Sequence, residues 1–171
     1  MRHAGATVDE LTLPHEFDAA LPAAKTIMRS EAALIFAPLR KAHPDKVSKA
    51  IDDVVMTGLA ISAYDYLSVL RVRAELRAKF HKLLQGYDAI ITPPATGEAP
   101  EGLAATGSPA FCAIWSLLGV PAINLPVALG EKGLPLGLQI VGGYRDDQNM
   151  LSVARWCESR LPFVPRPLHA D

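Results

Sequence analysis

The chain has 171 residues, half of them hydrophobic, with 17 basic against 18 acidic side chains and a formal net charge of -1. That composition predicts one soluble globular domain large enough to bury a core, with no basic field for nucleic acid and no acidic one for cationic partners. Aromatic residues make up only 6%, too few for base-stacking platforms, and no apolar run reaches the roughly 20 residues of a membrane span.

The opening "MRHAGATVDEL" lacks the apolar core of a signal peptide. Cys112 and Cys157 stand singly in apolar stretches, without CxxC spacing or the density of a disulfide scaffold, so a reducing cytoplasm is the expected location. Gly5 to Pro14 alternates apolar and polar positions and predicts a short strand. From Leu21 to Ala42 apolar residues recur at helical spacing, with Pro22 tolerable in a first turn. A second helix is predicted behind an Asp45 cap, carrying Val47, Ile51, Val54, Val55 and Leu59. A third runs from Ala63 to Gln85 and stops at Gly86, its arginines and lysines forming a solvated face.

The texture changes at "YDAIITPPATGEAP", Tyr87 to Pro100, a buried-looking strand that runs into a Pro/Gly-rich loop of the kind that carries binding sites in α/β proteins. A short helix from Ser108 to Leu118 closes at Gly119. Val120 to Leu129 and Leu134 to Gly143 read as strands around a "GEKG" turn. Asp146 or Asp147 caps a last helix to Arg160, with Met150, Leu151, Ala154 and Leu161 on its buried face, and residues 162–171 read as an irregular tail. The layout is thus mostly helical over residues 1–86 and strand, helix, hairpin and helix over 87–161.

No assembled catalytic group is legible. The five histidines show no HxH, HxxxH or HExxH spacing, so no metal is predicted, and no glycine-rich phosphate loop calls for a cofactor. "GSP" at Gly107 to Pro109 is not GxSxG, and Ser48 and Lys49 are helix neighbours whose side chains diverge. Cys112 has no positioned histidine to activate it.

In order and in kind, the run from Tyr87 to Ala154 resembles the C-terminal part of the amidase signature family: Tyr87 to Pro93, Gly119 to Pro126, Gly133 to Gly142, then Asp146 and Asp147. "AGATVDELTLP", Glu31 and the Ala63 to Gly86 helix match more loosely. The resemblance implies an α/β fold, a mixed β-sheet packed with helices, of which this single domain is the C-terminal part and lacks the N-terminal catalytic half. It implies hydrolysis of carboxylic amides through a serine nucleophile, a second serine and a lysine, with backbone amides as oxyanion hole. Those groups lie in the N-terminal half of relatives, and no residue here carries them over. By the same resemblance one helical face at Thr106, Pro109, Ala110 and Ala113 lines the acyl pocket of a small-molecule amide, while close packing under the sheet is an equal expectation for Ala110 and Ala113. Phe111 and Trp115 point elsewhere, into a core. Met1 falls inside the family's fold, so the chain is expected to pair with a missing N-terminal half or with itself and to be inactive alone. The alternative expectation is a free-standing, non-catalytic binding or assembly module, and a self-sufficient hydrolase dependent on Ser108 ranks third.

Overall fold

Small residues govern how the first two helices meet. In the computed structural model, which describes residues 1–103 and 105–161, α1 spans Ala20–Ala42, α2 Lys49–Leu59 and α3 Ala63–Leu83. A Cβ on Gly58 of α2 would stand 2.1 Å from the Arg29 carbonyl oxygen and 2.7 Å from the Ala33 Cβ of α1. Only hydrogen fits there, and Val55, three residues back on the same face, is fully buried. Arg40 and Asp52 form an ion pair between the same two helices.

The helix starts follow side-chain capping rather than the first polar residue available. Asp45 lies in a short 3₁₀ turn, Pro44–Lys46, and Ser48 caps α2 instead, its Oγ accepting from the Ile51 N–H at 3.4 Å. At the start of α3 the Ser62 Oγ accepts from the Asp65 N–H at 3.0 Å and donates to the Asp65 carboxylate at 2.6 Å. This is a capping arrangement that orients the incoming chain. One turn on, the Tyr66 hydroxyl donates to Glu31 of α1 at 3.2 Å, and burial, then that hydrogen bond, raises its pKa.

By packing, the chain divides into two compact units, His15–Ala78 on the one hand and Met1–Pro14 with the residues from Lys79 onward on the other. The second unit is built on a three-stranded sheet, β1 Ile90–Thr92, β2 Ala122–Leu129 and β3 Pro135–Val141, in the order β1-β3-β2 with both pairs antiparallel. Thr92, Gln139 and Asn124 form one row across it. The β2–β3 register slips between Pro126 and Ala128, next to a proline that has no N–H to give the ladder. The GEKG turn closes as predicted, the Gly130 N–H donating to the Leu134 carbonyl at 2.9 Å.

α4, Ala110–Leu118, ends at Gly119 in the left-handed conformation (φ 65°), and α5, Asp147–Glu158, packs on β2 and β3. Leu125 and Ile140 from the sheet meet Met150, Ala154 and Cys157 from α5 in one core cluster. Leu151, predicted to face that core, is instead exposed, because the i, i+4, i+7 stripe from Met150 continues through Ala154 to Cys157. Asp146 holds the cap position of α5 without a side-chain cap bond. Phe80 of α3 stacks obliquely on Trp115 of α4, ring centroids 5.6 Å apart.

The strand predicted at Gly5 to Pro14 does not form. A 3₁₀ turn at Arg2–Ala4 precedes the segment, the Arg2 guanidinium donates to the Val8 carbonyl at 2.7 Å, and no strand among the described residues pairs with it. Alternation needs a neighbouring strand before it becomes a ladder. The predicted tail at 162–171 lies outside the described residues. No single helix among the described residues is long and apolar enough to cross a membrane.

Candidate pocket wall

The four residues predicted to share a helical face are divided by the structure. α4 starts at Ala110 with Pro109 at its N-cap, so Ala110 and Ala113 lie on the helix while Thr106 falls in the irregular segment before it. Proline disfavours helical geometry in the residue before it, here Ser108, which stops the helix from extending back to Thr106. The Pro109 carbonyl instead nucleates the first turn by accepting from the Cys112 and Ala113 N–H groups at 2.9 and 2.8 Å. Thr106 and Pro109 are exposed, and Ala110 and Ala113 half-buried.

Three hydrogen-bonded contacts fix this region. Gln139, the buried polar residue in the middle of β3, donates from Nε2 to the Phe111 carbonyl at 2.9 Å. The Cys112 thiol, on the exposed side of α4, donates to the Pro94 carbonyl at 3.1 Å. The Glu98 carboxylate, in the loop after β1, accepts from the backbone N–H groups of Lys132 and Leu134 at the β2–β3 turn. Sequence reading missed both Gln139 and Glu98. A glutamine inside the apolar run "LGLQIV" is a usable signal, since a buried amide demands a partner, whereas nothing local marks Glu98 among the other carboxylates.

A concavity lies elsewhere in the same unit. β1 is an edge strand, and Ile90 and Ile91 join Val8, Asp9, Tyr87 and Trp156 in lining a groove of about 780 Å³, where the Tyr87 hydroxyl donates to Asp9 at 3.3 Å. None of the four predicted wall residues lines it.

The two serines weighed in the sequence, Ser108 and Ser48, are both engaged by backbone N–H groups. Ser108 Oγ accepts from the Ala110 N–H at 3.3 Å, and Ser48 is occupied as a helix cap. Burial raises the Cys157 thiol pKa, more than the Met1 ammonium lowers it, so that thiol stays protonated. Among the described residues no three His, Cys, Asp or Glu side chains gather to hold a metal. Ala110 and Ala113 are thus two half-buried small residues on a helix held at Cys112 by the Pro94 carbonyl and at Phe111 by Gln139.

The sequence model of the amidase family matches residues 1–151. The chain belongs to that family. A glutamyl-tRNA(Gln) amidotransferase subunit from Granulibacter bethesdensis is 30% identical over 203 aligned positions, which take in all of this chain and 40% of that protein. The equivalent protein of Wolbachia sp. subsp. Drosophila simulans is 38% identical over 103 residues, 57% of this chain and 21% of its own. A crystal structure described as an amidase superposes with a TM-score of 0.85 at 32% identity over 94% of this chain and 39% of that one. The substrate complex of 6-aminohexanoate cyclic dimer hydrolase shares the fold at 22% identity, with a TM-score of 0.81 over 98% of this chain and 40% of that one. Part of the amidase fold, helices packed with a sheet, is therefore present in this chain, which spans about two-fifths of the Granulibacter relative's length.

Proposed function

We propose that this chain acts as the C-terminal portion of an amidase, completing the sheet and supplying one wall of the acyl pocket, and that it does not hydrolyse amides by itself. The observation that carries this reading is an alignment running the length of the chain yet reaching only 40% of the relative's. It is supported by the sequence, which carries no glycine/serine-rich signature loop, and by Ser48, which beside Lys49 is engaged as a helix cap. In this reading Ala110 and Ala113 face the acyl group, Thr106 and Pro109 border it, and the substrate is a small-molecule amide. Chemistry comes from a serine, a second serine and a lysine of the polypeptide that carries the N-terminal half. Its relatives include proteins named as subunits, which supports work beside a partner. Two unpaired cysteines support a cytoplasmic setting.

The test is ammonia release from simple aliphatic and aryl amides, measured for this chain alone and after co-expression with a polypeptide carrying the N-terminal half of an amidase. Turnover only in the pair is the expected result. Turnover by the chain alone, abolished by Ser108→Ala, would overturn the proposal in favour of a self-sufficient hydrolase. Amide binding without turnover in either sample would favour a non-catalytic binding module.

A further inference from the structure

We propose that Glu98 is a positioning residue whose carboxylate, captured by the β2–β3 turn, fixes the loop after β1 and thereby the approach to Ala110 and Ala113. Its meaning for an acyl pocket rests on the function proposed above, but the latch is a property of this chain and can be tested without any activity. Glu98 Oε1 accepts from the Leu134 N–H at 2.8 Å and from the Lys132 N–H at 3.1 Å, and Oε2 shares the Lys132 N–H at 3.0 Å. A carboxylate on backbone N–H groups makes charge-assisted bonds, stronger than neutral ones. The partners are 34 and 36 residues away in sequence, so the bonds tie two loops that are otherwise independent.

The turn is shaped around this carboxylate. A Cβ on Gly130 would stand 2.3 Å from the Glu98 Cδ and 2.7 Å from Oε1. The hairpin closes through Gly130 and Gly133, whose N–H groups reach the Leu134 and Gly130 carbonyls. The amides of Lys132 and Leu134 are thus left for Glu98. Four residues before Glu98, the Pro94 carbonyl receives the Cys112 thiol of α4, and the next carbonyl back along that helix, Phe111, receives Gln139 of β3. The loop is therefore held at Pro94 by α4 and at Glu98 by the hairpin, and the Pro94 hold falls on Cys112, which lies between Ala110 and Ala113 in the helix.

The experiment is residue-resolved amide hydrogen exchange on the chain as it stands, with variants Glu98→Ala, Gly130→Ala and the double substitution, and proteolysis between Pro93 and Leu103 followed alongside. In the unmodified chain the amides of Lys132 and Leu134 exchange slowly although the turn is exposed. In Glu98→Ala they accelerate about tenfold, the scale of one lost charge-assisted bond, and loop cleavage rises with them, while Ile140 in β3 is unchanged. Gly130→Ala, which displaces the carboxylate, behaves the same way, and in the double variant it adds nothing, because the group it collides with is gone. Free exchange of Lys132 and Leu134 in the unmodified chain, which needs no variant to fold, overturns the latch. So does acceleration of Ile140 together with them, which would make Glu98 a general stability residue, or loop cleavage that does not change.

Discussion

Cys157 shows what burial does to one titratable group. Its side chain is 4% exposed within the α5 and sheet core, and burial raises its thiol pKa. The folded chain keeps a proton that the unfolded chain gives up, so the sign is set: stability is full below the unfolded thiol's pKa of about 8.5 and declines as pH climbs through the higher folded value. Denaturant melts taken from about pH 7 to about pH 10 check this. The alkaline decline should be shallower in Cys157→Ala than in the parent chain, and equal slopes would remove Cys157 as its source. The sequence marked this cysteine as lying in an apolar, helical stretch but put Leu151 on the buried face. The choice between the two falls to the helix's rotation against β2 and β3, which depends on contacts far away in sequence.

At the scale of elements, the closest approach in the first unit is the crossing of α1 and α2. Gly58 meets backbone, not the end of a flexible side chain, so an added methyl forces one helix to shift. Gly58→Ala should lower unfolding free energy by about 1–3 kcal/mol, the usual range for overpacking, despite alanine's better helix propensity. Urea denaturation reads the loss, and a gain in stability would mean that the two helices meet elsewhere. Helix existence and type were legible here because apolar periodicity over several turns is a strong signal. The starts were less legible: Ser48 outcompeted Asp45 as a cap, and Pro109 moved the start of α4 past Thr106, although the reason in the second case was written in the sequence. The short N-terminal strand failed for a different reason, since pairing is a property of two segments and only one was read.

At the scale of the molecule, several large apolar side chains remain on the surface of the helical unit, among them Leu34 (79% exposed), Ile35 (62%), Leu39 (52%) and Leu59 (60%). Exposed apolar surface of this kind marks association. We predict that the purified chain forms dimers or larger species at low micromolar concentration by light scattering, and that replacing Ile35 and Leu39 with lysine shifts it toward monomer. A monodisperse monomer of the parent chain would contradict this.

The sequence by itself carried the resemblance to the amidase family, and it determined the order of helices and strands from α1 onward, the turn at GEKG and the stop at Gly119, because those elements depend on residue types at short spacing. The tertiary structure alone decided the division of the chain into two units, which face of α5 is buried, and which backbone groups Glu98, Cys112 and Gln139 bind. Those outcomes depend on where one backbone group lies relative to a side chain about twenty to thirty-five residues away, a distance over which no local pattern carries information.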